Sequence, residues 1–252
     1  MTKVSIIMPA YNRETFIGAA LESLLAQSDA CDLDILVVND GSTDATAQVV
    51  EAIAGKHCRV RMVTTENGGV ARARNIGLDN LPDDCEFVTF LDSDDISPPG
   101  RLASDLAVFA EYPGTDFTYG FVTLVDDIDP QTREPSAGAR VERLRGISFS
   151  AALFSRPFVP RVGRIDESFL HAEDTDFLFR AFEISRNCVM TQTNTVYYRR
   201  HAGNMTLDTA TGRKHFMRAM HRSIQRRRAD PTLRVPDQVF GIGFEDGVRR
   251  DV

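Results

Sequence analysis

A chain of 252 residues with 36 acidic against 29 basic side chains carries a formal charge of −7. That length fits one large α/β domain or one and a half smaller ones, with a substantial core, and the acidic balance argues against sequence-independent nucleic-acid binding through the whole surface, leaving only a local basic patch to act alone; no nucleic-acid partner is expected. Four cysteines, Cys31, Cys58, Cys85 and Cys188, lie far apart without Cys-x-x-Cys spacing, which argues against zinc or a redox dithiol and suits free thiols in a reducing cytosol.

No run approaches the length of a bilayer span, and residues 1–8 are too short for a signal peptide, so a cytoplasmic chain, at most peripheral to the inner face of a membrane, is expected. Residues 4–8 are β-branched and apolar up to Pro9 and predict a buried strand. Residues 15–27 place Phe16, Ile17, Ala20, Leu21, Leu24 and Leu25 at helical spacing. The cycle then repeats: a strand over 34–39, a turn at Asp40, Gly41 and Ser42, and a helix over 43–54 capped by Ser42 or Thr43. A third strand over 59–64 leads through Asn67, Gly68 and Gly69 into a helix over 70–81. The fourth strand runs from Phe87 to Leu91, and its helix spans 99–112. Four βα units in succession predict a doubly wound, mostly parallel sheet with helices on both faces.

That fourth strand ends in Asp92, Ser93, Asp94 and Asp95 before Pro98 and Pro99. One acid there would serve as a helix N-cap, but three in four positions exceed that need. Carboxylates are hard oxygen ligands suited to magnesium, manganese or calcium, so a metal site at the carboxyl end of a central strand is expected. Ligands of such sheets sit outside the carboxyl ends of the strands. The loops carrying Pro9, Ala10, Tyr11 and Asn12, then Asp40 and Gly41, then residues 92–95 should therefore face one crevice. Tyr11 could stack on a flat ring, Asp40 could accept from a base edge, and the fourth loop could carry a metal bridging phosphates.

Beyond Pro113 the rhythm changes. A strand is expected over 116–125, a mobile loop over 126–140, a short apolar helix over 147–154, a helix over 173–183 and an edge strand over 188–198. From Thr211 the tail forms its own block, with Phe216, Met217, Met220 and Ile224 as an apolar face and seven basic residues between Arg213 and Arg228 on the rest. Such a helix suits anionic lipid or a phosphate-bearing acceptor, and equally suits a surface helix packed by one stripe.

Taken in order, Val4-Ser-Ile-Ile-Met-Pro-Ala-Tyr-Asn12, Val37-Val-Asn-Asp-Gly-Ser-Thr-Asp44, Ala73-Arg-Asn-Ile-Gly-Leu78, Leu91-Asp-Ser-Asp-Asp95, Ile165-Asp-Glu167 and Glu173-Asp-Thr-Asp-Phe177 with Arg180 resemble a family 2 glycosyltransferase of the GT-A fold. The resemblance implies a GT-A domain over 1–205, with a nucleotide-binding half over 1–112, an acceptor half over 113–205 and a C-terminal helical extension over 206–252. It implies transfer of a sugar, with inversion, from a nucleotide-diphosphate donor leaning to UDP, assisted by Mn2+ or Mg2+, onto a saccharide or lipid-linked acceptor in glycan or polysaccharide biosynthesis. Asp40 resembles the carboxylate that recognises the base, and Pro9, Ala10, Tyr11, Asn12 and Glu14 resemble the base and ribose wall. Asp92 and Asp94, flanking Ser93, resemble the acidic pair at ribose, sugar and metal, with Asp94 favoured as the direct ligand. Asp174 resembles the catalytic base, and His201 a histidine that completes the metal shell in some members. Arg74 is expected to reach the donor or an acid such as Asp40, while Glu173 and Asp176 are expected on the acceptor side or as capping groups. Two departures stand out: Asn39 precedes Asp40 where relatives carry an acid or Val, and Arg164 follows Gly163 where many have a small residue. The alternatives are a donor-binding module of the same fold without catalysis, and a sugar nucleotidyltransferase, which would need a Gly-rich loop after the first strand that residues 9–13 do not supply.

Overall fold

The computed structural model describes residues 1–145 and 148–235, together with the backbone of 241–242. Its first half is the expected alternation: β1 (Lys3–Ala10), α1 (Ile17–Leu25), β2 (Asp32–Asn39), α2 (Thr46–Ala54), β3 (Val60–Thr64), α3 (Val70–Asp79), β4 (Phe87–Phe90) and α4 (Arg101–Glu111). The second half comprises β5 (Phe117–Val125), β6 (Val141–Arg145), β7 (Ala152–Ser155), α5 (Val159–Val162), α6 (Glu173–Ile184), β8 (Cys188–Arg199), α7 (Thr209–Ala229) and β9 (Gly241–Ile242). One sheet runs through both halves in the order β3-β2-β1-β4-β7-β5-β6-β9, with β8 added alongside β5. The first four strands are mutually parallel; β7 lies antiparallel between β4 and β5, and β8 is parallel to β5. The sheet is therefore mixed but mostly parallel, and its parallel strands all deliver their carboxyl ends to the same edge.

The two faces of the sheet carry separate apolar layers. Ile6, Met8, Leu21, Leu24 and Val37 fill one, while Ile7, Val88, Phe90, Phe117, Phe154, Phe177 and Phe182 fill the other. Phe117 stacks with Phe158 at 5.7 Å and meets Phe182 edge-on at 5.1 Å; burying one such ring contributes about 1.5–3 kcal/mol. Gly77 on α3 has no room for a side chain because Ile7 occupies the place a Cβ would take. Helix α3 thus lies close against β1, and Arg74, one turn earlier, is buried at 4% exposure.

Three expectations need correction. Residues 149–154 form a 3-10 turn, Phe149–Ala151, followed by strand β7 rather than a helix. β7 is a central strand between β4 and β5, with Phe154 packed into one apolar layer and Leu153 into the other, so its sequence lacks the alternation that marks a half-exposed strand; Ile147 lies outside the described residues. Neither Ser42 nor Thr43 caps α2: the serine hydroxyl accepts from Asn12 N–H at 3.0 Å and Thr43 N–H donates to Asn12 Oδ1 at 2.8 Å. The helix starts at Thr46, where Asp44 Oδ1 accepts from Thr46 N–H at 3.0 Å and Glu14 Oε2 from Ala45 N–H at 2.8 Å. Finally, α7 does not present its arginines uniformly to solvent. Its buried positions are His215, Ala219 and Ser223, Met217 is exposed, and Arg222 and Arg226 turn inward. Arg222 pairs with Asp166, and Arg226 brackets Glu183 with two hydrogen bonds and reaches Asp176. Acids on α6 and in the preceding loop draw these arginines into the interface. No helix among the described residues is long and apolar enough to cross a membrane.

Candidate active site

The loops after β1 and β2 are laced together. Asn12 adopts a left-handed conformation with φ 51°, which turns the chain so that its own N–H and side-chain oxygen both meet the loop of Ser42 and Thr43. Glu14 faces α2 as a cap, its N–H donating to Asp44 Oδ2 at 3.1 Å. Pro9 and Ala10 are buried at the end of β1, whereas Tyr11 is 45% exposed beside them. Asp40 is buried at 3% exposure, and its two carboxylate oxygens accept from Gly68 and Gly69 N–H at 2.9 Å each. Asn67 Nδ2 donates to the Asp40 carbonyl at 3.0 Å. Each carboxylate oxygen has a second lone pair, so Asp40 can still accept one further bond while it holds the β3–α3 turn.

At the end of β4 the acids are distributed among cations. Asp92 Oδ1 accepts from Arg74 Nη2 at 2.6 Å, and Arg74 Nη1 bonds Glu173 Oε1. Arg74 therefore bridges the β4 loop and α6, and does not reach Asp40. Asp94 Oδ2 receives Arg13 Nε at 3.0 Å and lies 3.1 Å from His201 Nε2. The His201 ring stacks on Phe16 with centroids 4.5 Å apart, and its Nδ1 accepts from Gly203 N–H at 3.1 Å. That bond places the imidazole proton on Nε2, where it donates to Asp94. Asp95 is buried and accepts from Arg199 N–H at 3.0 Å; burial and the nearby charges of Asp94 and Asp92 raise its pKa well above the carboxylate range. Ser93 is buried between these acids.

Across the crevice, α6 begins after Ala172, held left-handed at φ 57°. Glu173, Asp174 and Asp176 all lie in its first turn, where the helix dipole favours negative charge. Asp174 Oδ1 accepts from Thr175 N–H at 2.6 Å, yet burial and the charge of Glu173 raise its pKa to about 7. Glu173 is buried against Arg74. Asp176 is 2% exposed and is taken up by Arg180 at 3.0 Å and Arg226 at 3.3 Å within the helical layer.

The structure thus forms two bonded sets at the end of β4, Asp92–Arg74–Glu173 and Arg13–Asp94–His201, with Asp40 held on the β2 side and Asp174 next to Glu173 in the chain. Sequence reasoning missed Arg13, the partner of Asp94, although it stands directly after Tyr11 and Asn12. It also missed Arg199 and Phe16, which flank His201, since a cation over an aromatic ring 5.3 Å away has no local spacing signal. Gly68 and Gly69 were legible as a turn but not as the donors to Asp40.

The mostly parallel α/β sheet, with acid-bearing loops at the carboxyl ends of its parallel strands, matches solved structures of the GT-A fold. TarS residues 1–349 from S. aureus, in complex with UDP-GlcNAc, aligns with a TM-score of 0.69 at 22% identity over 88% of this chain and 65% of that one. A mannosyltransferase from Pyrobaculum calidifontis, in complex with GDP-Man and Mn2+, aligns with a TM-score of 0.66 at 19% identity over 88% and 64%. Residues 5–230 match the model of glycosyl transferase family 2, and the chain belongs to that family. It is 31% identical over 222 residues to the putative glycosyltransferase EpsH of Bacillus subtilis, covering 80% of this chain and 62% of EpsH. Similarity to the uncharacterized glycosyltransferase EpsJ of the same organism is 28% over 219 residues, 81% of this chain and 62% of EpsJ. The chain thus spans about three fifths of the length of these curated relatives.

Proposed function

We propose that this chain transfers a sugar, with inversion, from a nucleotide-diphosphate donor, UDP-linked in the first instance, to an acceptor hydroxyl in glycan or polysaccharide synthesis. The observation that carries the proposal is the bridge Asp92–Arg74–Glu173, which ties the acid loop of β4 to the first turn of α6, the turn that carries Asp174. Residues 1–112 form the donor half and 113–205 the acceptor half. Pro9, Ala10, Tyr11 and Asn12 wall the base and ribose, Glu14 fixes that wall through α2, and Asp40 accepts from the base edge with its remaining lone pairs. Asp92 and Ser93 face the ribose and sugar.

The residues present fit a divalent cation. Asp92 and Asp94 offer hard oxygens, and no hydrogen bond among the described residues reaches Asp92 Oδ2 or Asp94 Oδ1. No three acid, histidine or cysteine side chains among the described residues form a ready-made cage, so donor phosphates would supply the rest of the shell. When bound, Mn2+ or Mg2+ balances the charge that develops on the diphosphate as it leaves, an effect worth several kcal/mol. His201 would join through Nε2 only after its proton moved to Nδ1 and Gly203 N–H turned away. Until then it orients Asp94.

Asp174 takes the proton of the acceptor hydroxyl as that oxygen attacks the anomeric carbon from the face opposite the diphosphate. A pKa of about 7 leaves an appreciable ionised fraction near neutrality and a strong enough base to accept the proton. Glu173 holds Arg74, and Asp176, engaged by two arginines, stays out of the acceptor's reach. The family and the use of a nucleotide-sugar donor suit a cytoplasmic enzyme working near the inner face of the membrane.

The test is thermal shift and donor hydrolysis over a panel of nucleotide sugars, with and without Mn2+, on wild type and Asp94→Ala. A metal-dependent shift and slow hydrolysis with one donor, both lost in the variant, are expected. A shift without hydrolysis or transfer to any acceptor points instead to a donor-binding module, and no shift with any donor removes the reading altogether.

A further inference from the structure

Among the basic side chains of α7, two pairs differ in their partners, while Arg213, Arg227 and Arg228 belong to neither. Arg222 and Arg226, toward the carboxyl end, are matched by Asp166, Glu183 and Asp176. Lys214 and Arg218, toward the amino end, have no carboxylate within ion-pair distance among the described residues; Arg218 donates only to Ser168 O and Oγ, at 2.9 and 2.7 Å. Between them sits His215, 8% exposed, with a buried Nδ1 that finds no hydrogen-bond partner among the described residues. Leaving a buried polar atom unpaired costs about 1–3 kcal/mol, which packing alone does not explain. The His215 ring meets Phe169 edge-on at 5.8 Å and stands 6.3 Å from the ring of His171, three residues before Asp174. Two acids that act electrostatically on this cluster are already committed, Glu173 to Arg74 and Asp208 to Thr211 N–H at the start of α7. Burial, and then the charges of Arg218, His171 and Lys214, lower the pKa of His215, as expected in a field of surplus positive charge.

We propose that His171, Lys214, His215 and Arg218 form an anion subsite beside Asp174 that binds a phosphate ester carried by the acceptor. The proposal rests on the reading of Asp174 as the base, and it names the acceptor class: a sugar or polyol whose reacting hydroxyl lies close to a phosphate. A sugar phosphate and a prenyl-diphosphate-linked sugar share that chemistry.

The subsite is tested on the full chain by following histidine imidazole resonances during titration with inorganic phosphate, with ionic strength held by chloride. Saturable shifts of His171 and His215 are expected. The dissociation constant should rise about fivefold in Lys214→Gln and in Arg218→Gln, the loss of one exposed charge contact of about 1 kcal/mol. Arg213→Gln, an exposed neighbour outside the cluster, should leave it unchanged. Lys214 is itself exposed, so its variant tests the site without disturbing the packing of Phe169. No saturable shift in the wild type, or equal weakening by Arg213→Gln, overturns the proposal. Displacement of phosphate by glucose 1-phosphate supports a soluble or polymeric phosphate ester, displacement only by a short-chain prenyl-diphosphate sugar supports a lipid carrier, and displacement by neither overturns it. A nucleotide-sugar thermal shift on the same sample separates the two readings. A donor shift without a phosphate response defeats the subsite alone, while a phosphate response without any donor shift defeats the transferase reading and leaves an anion site.

Discussion

The acid loop after β4 and the seam between α6 and α7 are built from the same side chains, aspartate, glutamate and arginine, and they are put to opposite uses. In the seam, Glu183 and Asp176 are almost wholly buried and bracketed by Arg226 and Arg180, so charge is cancelled where water is excluded. In the loop, Asp92 and Asp94 keep side-chain exposures of 33% and 14% and each is bonded through a single oxygen. Closed pairs hold helices together; half-engaged acids leave lone pairs for a ligand. Composition does not distinguish the two, whereas the number of free oxygens does.

The comparison is broken most forcefully at Asp174. Asp174→Asn should lower turnover by about 10² to 10⁴ while the donor thermal shift persists, the range a positioned base contributes; near-normal turnover removes Asp174 from the chemistry. In the seam, Arg226→Ala leaves Glu183 buried without its partner and should cost about 3 kcal/mol of stability, read as a lower urea midpoint at unchanged slope. Should that midpoint stay put, the seam is not a closed pair. With a base whose pKa is raised to about 7, turnover should climb as pH rises through that value, since only the ionised carboxylate accepts a proton. A flat profile across neutrality contradicts this assignment. The smallest effect belongs to Asp166, which is held at about 2 by Ser168 and Arg222 against the opposing cost of partial burial. Because its folded pKa is depressed, its contribution is present above the unfolded value and is lost as pH falls through about 2. Both partners are about one third exposed, so Asp166→Asn should cost only about 1 kcal/mol near neutrality and less in high salt.

The first half of the fold could be read from sequence because each strand and helix there repeats one period and ends on a turn residue. Legibility faded where tertiary neighbours decide. Val141–Arg145 is an exposed, charged strand with no apolar alternation, recognisable only from its ladder with β5. Residues 152–155 carry an apolar run that fits helix or strand until β4 and β5 close on either side. At the site, the acids announced themselves by their spacing, but their partners did not. Arg13 reaches Asp94 across 81 positions and Glu173 reaches Arg74 across 99, and no local pattern encodes either meeting. His215 was hidden for the same reason, since the rings it meets, Phe169 and His171, lie more than forty positions away in the chain.

The lacing of the two donor-side loops has a consequence for engineering. Asn12 and Glu14 supply acceptors to the second loop, and Ser42 and Asp44 return acceptors to the first. Neither segment keeps its shape without the other, so transplanting one from a relative with a different nucleotide preference would strand polar groups on both sides of the graft. The unit to exchange is the pair, residues 9–14 together with 40–46, in a single cassette.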